Sequence, residues 1–293
     1  NRNKRSLAVD LKTDQGRSLI HRLAEGSDVV LENFGPGTMT RLGCGYQALS
    51  AINPRIIFAE MKGYLSGPYE NRLALDEVVQ YMSGLAYMTG PPGRPLRAGA
   101  SVIDVMGGMF AVIAVQAALR QRDQTGQGQL VKSSLFESAA FLMTQHMSSQ
   151  AVTGVAPPPM SDKEKRTGAW AVYQTFETSD GNQIFIGLTT DNHWRRFWTH
   201  FERPDLIEDA RYATNPLRVK ERATTLPIVA EAVGAETLPD MMELCERIKI
   251  PFARVAQPGD LFDDPHLNEG GHMLDIEFPD GKRILLLAEG RLV

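Results

Sequence analysis

The sequence DVVLENFGPG, residues 28–37, joins a short apolar run to a turn that contains proline and glycine. The run predicts a β-strand over Asp28–Glu32, because branched apolar residues favour strands and the turn ends it. A helical pattern, Thr13–Glu25, precedes this strand, and a further strand pattern, Ile56–Met61, follows short helical segments. This alternation predicts an α/β fold, a Rossmann-like doubly wound sheet with right-handed crossovers.

Ligands in such sheets bind beyond the carboxyl ends of the strands. The turn over residues 33–37 follows such an end, so it is a candidate binding loop, although its proline and glycines also suit a purely structural turn. The other elements predicted for the first half of the chain are a strand over Ser6–Leu11, a helix over Ala74–Met88, a helix that contains Asp104 in its first turn or at its N-cap and ends near Arg120, a strand over Leu130–Ser133 and a helix over Ser134–Thr153.

Composition shifts predict the domain organisation. Residues 1–155 form a large α/β domain, and residues 156–168, with three prolines and a cluster of charges, form a linker or mobile loop. Residues 169–271 are predicted to form a small α+β domain that starts with a hairpin over Ala171–Gly187. Residues 272–293, with a second hairpin around Asp280–Gly281, form a return segment towards the large domain.

The charge distribution excludes several classes of protein. A net charge of −4 over 293 residues, with the two signs interspersed, gives no basic stripe for nucleic acid or anionic membranes. The uncharged run Met106–Leu119 is shorter than a membrane span. Cys44 and Cys245 are too far apart in sequence to suggest a metal or disulfide motif, and the histidines show no HExxH, so we expect no metal and a cytoplasmic location.

Asp104 is an isolated carboxylate at the start of the apolar helix, with glycines close by in sequence. A helix N-terminus favours an anion and would keep this side chain ionised, while the glycines allow a ligand to approach. Asp104 is therefore a candidate nucleophile. The alternative is an ordinary N-cap without any chemistry.

Common nucleotide and hydrolase motifs are missing: the sequence contains no GxGxxG, Walker A loop or GxSxG. It does contain a series of spaced motifs, which are Asn1-x-x-Lys4-Arg5-Ser6, Leu11-Lys12-Thr13, Glu32-Asn33-Phe34-x-Pro36-Gly37, Arg41-Leu42-Gly43, Asn53-Pro54-Arg55, the stretch Asp76–Gly84, Asp104 and Gly126-x-Gly128-Gln129. In order and spacing they resemble the class III CoA-transferase family over nearly the whole chain. Compared with that family's pattern, both ends look truncated.

The resemblance implies a role for particular residues. The family's catalytic aspartate falls on Asp104, and its contacts with coenzyme A fall on Val9, Lys12, Asn33, Phe34, Arg41, Leu42 and Leu135. The side chains of lysine and arginine can bind the phosphates of coenzyme A. Taken singly, the same cations would be surface charges and the phenylalanine a core aromatic.

The resemblance also implies the activity and the assembly. Members of this family move CoA from an acyl-CoA to a carboxylic acid through an aspartyl anhydride and an aspartyl-CoA thioester. They form interlocked homodimers in which each protomer is a ring threaded by the other. We expect no metal to take part, because every nucleophile in this chemistry is already an anion.

Three departures from the family pattern narrow the expected activity. The racemase branch has a histidine where this chain has Leu75, and a racemase needs an acid and a base on opposite sides of the α-carbon. The glycine run of formyl-CoA transferase is replaced near Ala156–Ala169, and its pocket lysine falls on or beside Ala74, so formate and oxalate are disfavoured. An acyl-CoA racemase and a CoA-binding protein without catalysis stay as alternatives.

A dicarboxylate acceptor would need a cation for its second carboxylate. Arg72, Arg94 and Arg97 lie in predicted loops around the candidate site and are the candidates for this role. Each could equally be a solvated loop arginine.

Overall fold

The computed structural model describes residues 4–162, 170–278 and 281–287. The chain divides into two compact units, Asn1–Arg166 and Thr167–Val293. The residues expected to bind CoA all belong to the first unit. The particular roles predicted for residues 1–155, 156–168, 169–271 and 272–293 stay predictions.

A parallel sheet forms the centre of the first unit. Its strands, in spatial order, are β1 (Val29–Glu32), β2 (Ile57–Lys62) and β3 (Leu130–Ser134). Phe58 of β2 pairs with Val30 on one side and Leu130 on the other. Ile56, Ile57 and Phe58 are fully buried, as the apolar pattern of a central parallel strand requires. The predicted α/β architecture with a parallel sheet is confirmed.

The helices of the first unit precede, separate and follow these strands along the chain. They are α1 (Asp14–Glu25), α2 (Thr38–Arg41), α3 (Tyr46–Ile52), α4 (Asp76–Met82), α5 (Leu85–Thr89), α6 (Val102–Thr125) and α7 (Leu135–Thr153). The single helix predicted over Ala74–Met88 is divided in two, because Gly84 adopts a left-handed backbone conformation (φ 87°) between α4 and α5.

The predicted strand over Ser6–Leu11 is wrong. No described strand runs beside it to pair with its backbone, and Leu7 is exposed. A turn forms at its end instead, in which the Asp10 carboxylate accepts from the Lys12 N–H (2.9 Å) and the Asp10 carbonyl accepts from the Thr13 hydroxyl (2.8 Å). Local side-chain hydrogen bonds of this kind compete with strand pairing.

The helix α6 continues five residues beyond the predicted end near Arg120. Its polar last turn stays helical because Arg122 forms an ion pair with Asp28 (2.9 Å) and donates to the Arg55 carbonyl (3.2 Å). Gly126, with φ 75°, then ends the helix.

By length and mean composition the full α6 is long and apolar enough to cross a membrane, although its uncharged run Met106–Leu119 is shorter than a span. Such a test is also passed by core helices of α/β folds. Here α6 packs against β2, β3 and α7. Gly107 contributes to this close packing, since a β-carbon at that position would lie 3.3 Å from Leu135 Cδ2.

The second unit is a small α+β structure. Its antiparallel sheet contains β4 (Val172–Glu177), β5 (Gln183–Leu188) and β6 (Phe252–Arg254), in that order, which confirms the first predicted hairpin. Its helices are α8 (Asp191–His200), α9 (Pro204–Glu208), α10 (Asn215–Lys220), α11 (Arg222–Gly234), α12 (Leu238–Arg247) and α13 (Pro265–Glu269).

The core of the second unit is aromatic and aliphatic, with Trp194, Phe197 and Trp198 packed on the sheet. A second hairpin pairs β7 (Met273–Glu277) with β8 (Arg283–Leu287), as the sequence predicted. Residues 279 and 280 of its predicted turn lie outside the described residues.

Candidate active site

A cavity of about 510 Å³ opens at the carboxyl ends of the parallel strands. Residues that directly follow β1, β2 and β3 all reach it, as expected for a ligand site in an α/β sheet. The loop before α4 and the first turn of α6 complete the wall. Its lining includes Asn33, Phe34, Lys62, Gly63, Arg72, Leu75, Asp76, Asp104 and Leu135.

Asp104 lies in the first turn of α6 and faces this cavity. It is not the N-cap, a position that Ser101 occupies without a side-chain capping hydrogen bond. Burial, and then the negative charge of Asp76, raise the pKa of the Asp104 carboxyl above its ordinary value. The expected effect of the helix end, which favours the anion, is therefore outweighed by partial burial beside a second carboxylate.

The second carboxylate belongs to Asp76, which begins one of the spaced motifs but was not predicted to have a role in the site. Asp76 Oδ2 accepts from the backbone N–H groups of Ile103 (2.9 Å) and Asp104 (3.0 Å). Its Oδ1 accepts from the side-chain amide of Gln80, and the Gln80 carbonyl oxygen accepts from the Ala98 N–H (2.8 Å). Asp76 and Gln80 are both buried. Together they join α4 to the start of α6.

An ion pair fixes the loop after β1. Lys62 Nζ pairs with the buried carboxylate of Glu32 and also donates to the Phe34 carbonyl (2.9 Å). Glu32 Oε2 accepts from the Phe34 N–H (2.8 Å). Both polar groups of the Phe34 backbone are therefore held by one charge pair. Sequence reasoning missed this pair, because Glu32 and Lys62 lie 30 residues apart and meet only through strand pairing.

The residues predicted to contact CoA are divided in space. Asn33, Phe34 and Leu135 line the cavity with Asp104, and half of the Phe34 surface is exposed. The cavity lining does not include the other four, which are Val9, Lys12, Arg41 and Leu42.

Arg41, the last residue of α2, and Lys12, in the turn before α1, are both exposed. The Arg41 guanidinium donates to the Pro36 carbonyl (3.0 Å) and to the Thr38 hydroxyl (2.9 Å), so it stiffens the loop that carries Phe34. The Lys12 carbonyl accepts from Arg17 (3.0 Å). Their predicted contacts with CoA phosphates stay predictions.

The three candidate arginines differ in position. Arg72 lines the cavity and its guanidinium lies 4.2 Å from the ring centroid of Tyr69. Arg97 forms an ion pair with Glu77 and donates to the Ala98 carbonyl (2.9 Å). Arg94 is exposed and does not line the cavity. The geometry therefore favours Arg72 as the cation beside Asp104.

Across the residues that the structure describes, no three His, Cys, Asp or Glu side chains come together as a metal-binding group. The cavity is lined by two carboxylates, by the cations of Lys62 and Arg72, and by an apolar wall from Phe34, Leu75 and Leu135. This set suits an anionic, partly apolar ligand such as a thioester.

A parallel sheet with an acidic side chain in a cavity beyond its strand ends is the arrangement of a ligand-binding α/β fold. Residues 1–289 match the family described as CoA-transferase family III. The chain belongs to this family, as the spaced motifs predicted.

Solved structures agree with this assignment. A CaiB/BaiF family protein from Brucella suis superposes with a TM-score of 0.83 at 31% sequence identity, over 100% of this chain and 79% of that protein.

Sequence relatives carry more specific names. A protein of Fusarium pseudograminearum named acyl-CoA transferase is 35% identical over 94% of this chain, and the chain spans 60% of its length. The succinate–glutarate CoA-transferase of Agrobacterium fabrum is 30% identical over 96% of this chain, and the chain spans 70% of its length. Further relatives are named succinyl-CoA transferases for glutarate, D-citramalate, mesaconate or L-malate.

Proposed function

We propose that the protein is an acyl-CoA:carboxylate CoA-transferase with Asp104 as its nucleophile. The observation that carries this proposal is the place of Asp104, whose carboxylate shares a cavity at the strand ends with Asn33, Phe34 and Leu135. The raised pKa of Asp104 supports it, because a carboxylate that is less stabilised as an anion is a better nucleophile.

The first half of the reaction loads the enzyme. An Asp104 oxygen attacks the thioester carbonyl carbon of the donor, the carbon–sulfur bond breaks, and CoA leaves as a thiolate. The product is a mixed anhydride between Asp104 and the donor acid. The thiolate then attacks the Asp104 carbonyl carbon and expels the donor carboxylate, which leaves an aspartyl-CoA thioester.

The second half reverses these steps with the acceptor. Its carboxylate attacks the aspartyl thioester and releases the CoA thiolate, and the thiolate attacks the acceptor's carbonyl carbon in the new anhydride. Asp104 is regenerated as a carboxylate and a new acyl-CoA leaves. No step transfers a proton, but water must be excluded from the anhydrides. The sequence makes the segment Gly168–Ala169 a candidate for a loop that closes over the site, and this segment lies outside the described residues.

The acceptor we propose is a dicarboxylate of the size of succinate or glutarate. One carboxylate reacts, and Arg72 binds the other, since this arginine lines the same cavity as Asp104. The names of the relatives support a dicarboxylate, and Arg97 is already paired with Glu77.

A transfer assay from succinyl-CoA to glutarate tests the activity and this role together. For Arg72→Gln we expect KM for glutarate to rise about 10- to 100-fold, since a charge-assisted hydrogen bond contributes about 1.5–3 kcal/mol. The rate with a monocarboxylate acceptor such as butyrate should not fall. Arg94→Gln is the matched control and should behave as the wild type. Equal KM values for glutarate in the two variants would reject the proposed role of Arg72 in binding the acceptor.

The same assay separates the alternatives. Exchange of the α-proton of a branched acyl-CoA with solvent, without acyl transfer, would identify a racemase. Leu75 disfavours this outcome, because its exposed side chain lines the cavity and cannot act as the second acid or base. Binding of CoA without turnover would identify a protein that has lost catalysis.

We also propose a homodimer, in which α6 contributes to the contact between copies. Val105, Met109, Val112 and Ile113 are each more than 60% exposed and recur along one face of α6. Phe110 packs on Phe141 of α7 (5.5 Å between ring centroids), so the apolar face continues onto the next helix. An exposed apolar surface of this extent is typical of a protein interface.

A further inference from the structure

We propose that Asp76 is a positioning residue for the nucleophile: it caps α6 from a different helix and places a fixed negative charge beside Asp104. This inference rests on the proposed function, since it takes Asp104 to be the group that attacks the thioester. The family resemblance drawn from the sequence assigns Asp76 no such role.

The capping geometry carries the first half of the proposal. The first N–H groups of a helix need acceptors, and Ser101 at the N-cap supplies none from its side chain. Asp76 Oδ2 accepts from two of these groups, on Ile103 and on Asp104 itself (2.9 and 3.0 Å). The backbone that bears the nucleophile is therefore bonded directly to a side chain of α4.

Gln80 fixes the orientation of this cap. It is fully buried, one turn after Asp76 on α4, and its amide donates to Asp76 Oδ1. Its own carbonyl oxygen accepts from the Ala98 N–H (2.8 Å), in the loop that leads into α6. Both oxygens of Asp76 are thereby engaged, and the loop and the helix start are held by one connected pair of side chains.

The second half of the proposal concerns charge. Asp76 uses the helix N–H groups that would otherwise stabilise the anion of Asp104, and it adds a negative charge nearby. The other charged groups of the cavity wall are Lys62, the last residue of β2, and Arg72, in the loop before α4. Glu137 of α7 accepts from the Leu65 N–H (3.2 Å) behind this wall. The pKa of Asp104 is nevertheless raised, first by burial and then by the negative charge of Asp76.

A charge relocation separates positioning from electrostatics. In Asp76→Asn the new amide would face the amide of Gln80, so two donors would meet. In the double variant Asp76→Asn/Gln80→Glu, the introduced asparagine accepts from the same two N–H groups and donates to the introduced glutamate, which in turn accepts from the Ala98 N–H. All these hydrogen bonds are kept. The negative charge is removed from position 76 and added at position 80, so the charge lies one side chain further from Asp104.

The readouts are the thermal midpoint, kcat and KM for transfer, and the pKa of Asp104 from a ¹³C NMR titration of its carboxyl. For Asp76→Ala we expect kcat to fall about 100-fold, since a misplaced nucleophile can cost that much. The double variant should regain the wild-type thermal midpoint. Its kcat should be about tenfold higher than that of Asp76→Ala. Its Asp104 should titrate at a lower pH than in the wild type, so its activity persists to lower pH.

Two results would overturn the proposal: an Asp76→Ala variant with wild-type kcat, or a double variant whose Asp104 titrates as in the wild type. The NMR titration and the thermal midpoint need no turnover. If the wild type transferred no CoA, the proposed function would fail, whereas an unchanged Asp104 pKa in the double variant would reject the role of Asp76 alone.

Discussion

At the scale of single residues, the site depends on two buried charge arrangements that local sequence patterns do not show. Asp104 could be found from the sequence because it is an isolated carboxylate at the start of an apolar helix. Asp76 could not be linked to Asp104 in this way. An acid in the first turn of α4 is already explained by its favourable interaction with the N-terminus of α4 itself. Only the fold brings the two together.

The Glu32–Lys62 pair gives a prediction at this scale. In Glu32→Gln, Lys62 keeps a positive charge in a mostly buried position and the Phe34 N–H loses its charged acceptor. We expect the free energy of unfolding to fall by up to about 3–5 kcal/mol, the cost of breaking a buried pair, and CoA to bind more weakly. Chemical denaturation and calorimetric titration with CoA measure both.

The matched control is Glu60→Gln, which removes a charge from the neighbouring, more exposed pair with Lys132 (3.7 Å). That change should cost about 0–1 kcal/mol. If both variants lost the same stability and affinity, Glu32 would have no special part in holding the Phe34 loop.

At the scale of elements, α6 packs against the parallel sheet and also carries Asp104, the proposed nucleophile. Its two central glycines differ in surroundings, because a β-carbon on Gly107 would lie 3.3 Å from Leu135 Cδ2 and one on Gly108 would lie 3.9 Å from Met61 Cε. Leu135 lines the cavity. Gly107 therefore allows α6 to pack closely against Leu135, a residue of the cavity wall.

Replacing these glycines separates packing from binding. Both Gly107→Ala and Gly108→Ala should gain about 0.5–1 kcal/mol from helix propensity. In Gly107→Ala, Leu135 must move, so we expect KM for the acyl-CoA to rise and part of the stability gain to be lost. Gly108→Ala should keep the wild-type KM. Steady-state kinetics on the pair checks this, and a raised KM for Gly108→Ala alone would contradict it.

The order of elements was largely predictable from the sequence, and its errors have physical causes. Strands β1, β2 and β3 could be placed because apolar runs between turn residues identify buried parallel strands. The false strand over Ser6–Leu11 shows the limit of this argument, since a strand exists only where a neighbour pairs with it. The extra turn of α6 depends on the contacts of Arg122, which no helix pattern contains.

At the scale of the whole molecule, the proposed homodimer gives a further prediction. Val112→Lys places a charge on the exposed apolar face of α6, where burial between two copies would require its desolvation. We expect this variant to be monomeric by light scattering coupled to size exclusion, at concentrations where the wild type is a dimer. Ala230→Lys, at an exposed position of α11, is the control and should stay dimeric. A dimeric Val112→Lys protein would exclude α6 from the contact.

The central claim is that Asp104 carries the CoA group during transfer. Its most direct test is intact-mass spectrometry of the protein after brief incubation with succinyl-CoA, followed by hydroxylamine and peptide mapping. We expect a CoA-thioester adduct that hydroxylamine converts to a hydroxamate on Asp104, and no adduct in Asp104→Asn. Transfer activity without any adduct, or an Asp104→Asn variant that keeps both adduct and activity, would contradict it.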